Sequence, residues 1–156
     1  MVLARYLQEH VDRMRVRYEL VQHVVTHSAS RTAEASHVSG GKVAKGVLLR
    51  DADGYTLAVL PASRHIGFPG ITALLACDAR LASEQEIDQI FSDCAHGAVP
   101  AIGAAYGLDV VVDDSLFELE EVYFEGGDHT TLVRVSAADF RRLMEGARRA
   151  RFAEPG

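Results

Sequence analysis

The chain has 156 residues, 48% hydrophobic and 24% charged, the balance of a globular domain and not of a disordered segment. No apolar run approaches the roughly 20 residues that span a bilayer, and charges at Arg5 and Glu9 come too early for a secretory signal. A net charge of −6 argues against a long basic groove for DNA or RNA, while leaving room for a pocket that grips only a strand's end.

Leu3, Leu7, Val11 and Met14 follow the three- and four-residue spacing of an amphipathic first helix. From Val16 to Val25 the period becomes two, which predicts a strand with Val16, Tyr18, Leu20 and Val24 on one face. Ser30 is placed to cap a short helix from Ala33 to His37, which Gly40-Gly41 ends. Lys42–Arg50 and Tyr55–Leu60 are apolar runs joined by Asp51-Ala52-Asp53-Gly54, a hairpin sequence. Pro69 opens a helix to Ala76, and Ser83-Glu84-Gln85-Glu86 is a capping box before Ile87, Ile90 and Phe91. Val110–Val112, Val122–Phe124 and Thr131–Val135 are short strands. Ser136 caps a last helix through Met144, which is expected to fray into an arginine-rich end, Arg148, Arg149 and Arg151. No repeat, low-complexity tract or linker divides the chain, so residues 1–156 are read as one domain. The irregular interleaving of helices and strands favours a mixed, largely antiparallel sheet.

Of 16 basic residues, 14 are Arg; only Lys42 and Lys45 are Lys. The pleat puts Lys45 on the face of Val43, Val47 and Leu49. An ammonium among aliphatics needs an anion or a wet pocket, or else its stem lies on the core while its head reaches water. The run His96-Gly97-Ala98-Val99-Pro100-Ala101 can present backbone N–H groups to an oxyanion, or it is an ordinary connection. Glu125-Gly126-Gly127-Asp128-His129 is a glycine turn, or a turn that holds Asp128 and His129 at a pocket mouth. His23, His27 and His37 lack a carboxylate or Cys at ligand spacing, so no metal is expected. Cys77 and Cys94 form no CxxC pair and are too few for a disulfide framework; reduced thiols and a cytoplasmic location are expected.

These segments, in this order, resemble the YbaK / prolyl-tRNA-synthetase-associated family of aminoacyl-tRNA editing domains. The likeness runs from Tyr18 to Leu143. It rests on Val43-Ala-Lys45-Gly-Val-Leu-Leu49, Tyr55–Pro61, Leu81–Glu86, Gly97-Ala-Val-Pro100, Val112-Asp113-Asp114-Ser115-Leu116 and Tyr123-Phe-Glu-Gly-Gly127. The resemblance implies an α+β fold: a partly closed β-barrel of mixed, mostly antiparallel strands flanked by helices. It implies hydrolysis of the ester joining a wrong amino acid to tRNA, by a protein that acts in trans because no synthetase core is present. The family's lysine falls on Lys45 and its glycine–proline loop on Gly97, Ala98, Val99, Pro100 and Ala101, where Ala101 replaces the final proline. Alanine-clearing members carry a histidine where His129 stands, and Asp113, Gly127 and Asp128 join it as expected substrate-binding residues. The implied partner is the acceptor end of a mischarged tRNA, with a synthetase or an elongation factor beside it; no cofactor, membrane or DNA is implied. A non-catalytic aminoacyl-tRNA or nucleotide-binding module and a hydrolase of small esters are the alternatives.

Overall fold

The computed structural model describes residues 3–26 and 28–156. Helix α1 (Arg5–Arg13) buries Leu7 and Val11 and ends where Arg15 turns to a positive φ of 56°. Strand β1 covers only Glu19–Gln22, shorter than its alternation predicts. Its inward residue is also different: Leu20 is 41% and Val24 73% exposed, whereas Val21 packs inward opposite Leu132. Helix α2 (Ala29–Ala35) is capped by Ser28, not Ser30. Ser28 has the extended backbone of an N-cap and accepts from the Arg31 amide, while the Ser30 hydroxyl donates to the Ala62 carbonyl at 2.9 Å.

The hairpin forms as its turn dictates: β2 (Val43–Asp51) and β3 (Gly54–Pro61) pair in full register, with Gly54 at φ 143°. The Asp51 carboxylate accepts from the Asp53 and Gly54 amides. Strand β4 (Arg64–Ile66) leads to α3 (Phe68–Leu75), which has proline in its first turn, and then to β5 (Arg80–Leu81). Helix α4 (Glu84–Ile90) has the predicted capping box. The Glu86 carboxylate accepts from the Ser83 amide, from Tyr55 Oη at 2.6 Å and from Arg80, and these donors hold it down at about 2.

Strands β6 (Asp109–Asp113), β7 (Glu121–Glu125) and β8 (Thr131–Ser136) follow, then α5 (Ala137–Leu143), capped by Ser136. The arginine-rich end does not fray. It forms β9 (Arg148–Ala150), parallel to β6, and β10 (Ala153–Pro155), paired with β4. Its cations are satisfied within the chain: Arg149 lies 3.8 Å from the Phe117 ring centre and 3.1 Å from Asp114, and Arg151 pairs with Glu118 at 2.9 Å.

The main sheet runs β1-β8-β7-β2-β3-β6-β9, with β5 added to β2; β7–β2, β3–β6 and β6–β9 are parallel and the rest antiparallel. The α+β fold is as expected, but the sheet does not close into a barrel. Its end strands, β1 and β9, are short, lie at opposite ends of the path and pair with one neighbour each among the described residues. Both faces are covered, because alternate residues of β3 enter different cores: Leu57 and Val59 join α1, α5 and Phe124, while Ala58 and Leu60 pack with Ile71 and Phe152. No helix among the described residues is long and apolar enough to cross a membrane.

One break in the sheet positions everything that follows. Strand β7 pairs with β2 only at Val43 and Ala44, and β5 only at Leu49 and Arg50. Between them, Lys45, Gly46 and Val47 have no strand beside them on that edge among the described residues.

Candidate functional site

The gap along β2 opens into a cavity of about 370 Å³. Its floor is β2 from Val43 to Leu48; its walls are Thr32 of α2 with the capping Ser28, Ile87 of α4, Gly97 and Val99 of the following loop, and Glu125, His129 and Leu132. Apolar side chains dominate, with few polar groups among them, the composition of a ligand site.

Lys45 shares its face with Val43, Val47 and Leu49, as the pleat requires, and sits where the clusters above and below it leave the cavity open. Its Nζ lies 3.5 Å from the Ala62 carbonyl, its only polar contact among the described residues. Burial pushes the Lys45 ammonium below its ordinary pKa. Gly46 allows the next element to approach. A Cβ there would stand 3.3 Å from the Pro100 carbonyl and 3.4 Å from Ala101 Cα, so the 97–101 loop lies directly on β2.

Within that loop Gly97 (φ 78°) and Val99 face the cavity, while Ala98, Pro100 and Ala101 are buried behind them. The Ala98 amide closes a turn on the Ala95 carbonyl. The amides of Gly97, Val99 and Ala101 meet no acceptor among the described residues.

The β7–β8 turn forms the facing wall. Gly127 (φ 115°) packs on Ala4 and Cys94, and its carbonyl accepts from the Ala95 amide at 2.8 Å. Asp128 points back into the turn: its carboxylate accepts from the Thr130 amide at 2.9 Å and the Thr131 hydroxyl at 3.1 Å. Desolvation raises the Asp128 pKa, but these bonds outweigh it and hold the group below the usual carboxylate range. His129 (φ 64°) is 9% exposed, lines the cavity and donates through Nε2 to the His96 carbonyl at 2.5 Å.

The cavity therefore unites Lys45, Gly97, Val99 and His129. Ala98, Pro100, Ala101, Gly127 and Asp128 form the layer behind it. Asp113 stands apart: its carboxylate accepts from Ser115 and from the Phe152 and Ala153 amides, fixing the link between β9 and β10. These bonds outweigh burial and hold it below the ordinary range. His27 lies outside the described residues, and the His23 ring donates to the Val24 carbonyl. Among the described residues no three His, Cys, Asp or Glu side chains gather as a metal site. Cys94 is a free thiol that burial pushes up to about 12, so it is not a ready nucleophile.

Sequence reasoning missed Glu125, a cavity carboxylate whose side chain is 15% exposed. It also missed Gly46, Ser28 and Thr32. A lone Gly inside an aliphatic strand was the available signal for Gly46; nothing local marks Ser28 and Thr32, which tertiary packing brings in.

Solved structures of this fold are similar along nearly the whole chain. A candidate trans-editing enzyme for prolyl-tRNA synthetase shares 23% identity at a TM-score of 0.82, over 97% of this chain and 96% of that one. A hypothetical protein shares 22% at 0.81, over 96% and 99%. A candidate signal-transduction protein of Marinobacter aquaeolei VT8 shares 24% at 0.79, over 97% of this chain but 31% of its own length. No curated protein matches the chain. Residues 23–143, which carry Lys45, the 97–101 loop and the β7–β8 turn, match the aminoacyl-tRNA editing domain, and the chain belongs to that family.

Proposed function

We propose that the protein is an aminoacyl-tRNA deacylase acting in trans, hydrolysing the ester that joins a mischarged small amino acid (alanine, serine or cysteine) to tRNA. The observation that carries this reading is the meeting, in one cavity, of a desolvated Lys45 ammonium and loop amides at Gly97 and Val99 that lack acceptors.

Water adds to the ester carbonyl, the tetrahedral oxyanion forms, and the bond to the ribose oxygen breaks with that oxygen taking a proton. The products are the free amino acid and the terminal ribose hydroxyl. The vicinal ribose hydroxyl assists water, so no protein nucleophile is needed, and the protein contributes positioning and oxyanion stabilisation. Lys45 meets the terminal phosphate or the carbonyl; the Gly97 and Val99 amides face the developing oxyanion; His129 bounds the aminoacyl group. Only the acceptor end enters, so the acidic net charge is tolerated.

A deacylation screen on tRNAs charged with alanine, serine, cysteine and valine tests this. Turnover of alanyl-, seryl- or cysteinyl-tRNA is expected; binding without turnover would leave a non-catalytic module.

A further inference from the structure

The cavity holds two opposite charges that do not pair. Lys45 and Glu125 both line it, yet no ion pair joins them among the described residues. Glu125 closes β7 at the start of a rigid turn. Its Oε2 accepts from the Gly127 amide at 3.2 Å, and its Oε1 lies 3.9 Å from Nδ1 of His129, beyond hydrogen-bond distance. Burial pushes the Glu125 carboxyl up, and the Gly127 and Gly126 amides and the His129 ring only partly oppose this. A carboxylate desolvated in this way is costly to keep unless a cation meets it.

An aminoacylated 3′ end supplies that cation. It carries one positive group, the α-ammonium, on the carbon next to the scissile carbonyl, and its negative charge lies on the phosphate side. A cavity with one carboxylate and one ammonium held apart matches this distribution. Resting on the deacylase reading, we propose that Glu125 binds the α-ammonium group of the aminoacyl moiety, so that the site selects α-amino acyl esters over neutral analogues. With one end on Glu125 and the other on Lys45, the ester is held between two charged anchors, which limits where its carbonyl can lie.

Glu125→Gln tests the charge alone, since the amide keeps the side-chain length and an acceptor for the Gly127 N–H. Steady-state deacylation is measured on alanyl-tRNA and on lactyl-tRNA, an isostere with hydroxyl in place of the α-ammonium. For E125Q, KM on alanyl-tRNA is expected to rise about 10- to 100-fold and kinetics on lactyl-tRNA to stay within about twofold of wild type. Retained lactyl turnover also shows that the variant is folded. An equal fall in kcat on both substrates would mean proton transfer by Glu125 and would overturn the proposal, as would an unchanged KM for alanyl-tRNA. A wild type that hydrolyses neither ester removes the deacylase reading itself, and the Glu125 assignment with it. A wild type active on alanyl-tRNA, with E125Q unaltered, removes only the Glu125 assignment.

Discussion

The His129 ring donates to the His96 carbonyl at 2.5 Å, and this contact joins the β7–β8 turn to the loop that carries Gly97 and Val99. The Ala95 amide, bonded to the Gly127 carbonyl at 2.8 Å, reinforces the join. Two walls of the cavity are therefore one mechanical unit. His129 holds its place in the left-handed region, which Asn tolerates better than Ala. His129→Ala removes the donor to His96 as well, so a loss of about 1–3 kcal/mol is expected. His129→Asn should lose less. Urea denaturation of the three proteins checks this, and equal midpoints for wild type and His129→Ala would remove the tie.

Lys45→Ala is expected to lower kcat by roughly 10²–10³-fold, the loss typical when one preorganised transition-state donor is removed. Stability should not fall with it. Burial lowers the Lys45 pKa, so the folded chain holds that proton less tightly than the unfolded one. The resulting penalty on folding is full below the lowered pKa and declines as pH rises from there to the ordinary lysine value; removing the ammonium removes the penalty. Activity has the opposite dependence. If the charged form binds substrate, the enzymatic rate above background hydrolysis declines on the alkaline side before an ordinary lysine titrates. A folded Lys45→Ala protein with wild-type turnover would sink the assignment.

The hairpin, the capping box and the three later strands were legible because each rests on local chemistry: Gly54 in its turn, Ser83 with Glu86, and short runs of β-branched and aromatic residues such as Val110–Val112 and Val122–Phe124. Lys45 was legible for a similar reason, since a pleat fixes which residues share a face. The misread elements depend on remote partners. Leu20 and Val24 alternate correctly but face outward, because pairing with β8 turns Val21 inward. The arginine-rich end looks like a solvated tail until β6 and Phe117 are placed beside it. The break in the sheet at Lys45 arises from β7 and β5 stopping short on one edge of β2, and no local pattern encodes that.

Gly46 offers a test of the cavity that touches no polar group. An added Cβ would stand 3.2 Å from a Leu57 methyl, 3.3 Å from the Pro100 carbonyl and 3.4 Å from Ala101 Cα. Leu57 can shift, but two of the three neighbours are backbone of the loop proposed to face the oxyanion. Gly46→Ala should therefore displace that loop by tenths of an ångström. The expected result is at most about 1–3 kcal/mol of lost stability and a fall in kcat larger than the change in KM. Full activity in Gly46→Ala would show that the loop's distance from β2 does not govern the chemistry.

The last prediction concerns the range of amino acids removed. In the proposed pose the acyl side chain lies near His129, whose ring is fixed by the His96 carbonyl and whose turn is packed against Ala4 through Gly127. A wall tied at both ends cannot yield readily to a branched side chain. Alanyl-tRNA should be the best substrate, seryl- and cysteinyl-tRNA next, and valyl-tRNA poor. Attraction alone would give only about 1–3 kcal/mol per methylene, and in favour of the larger group, so a preference for alanine requires exclusion. His129→Ala should then slow alanine removal and raise the relative rate on valyl-tRNA, without the loss expected for Lys45→Ala. Rates on the four esters, carried on one tRNA and measured well below the variant's melting temperature, decide between a wall and a purely structural histidine. A purely structural role predicts lower stability with the order of substrates unchanged, and a wild type that prefers valyl-tRNA would remove the small-pocket proposal itself.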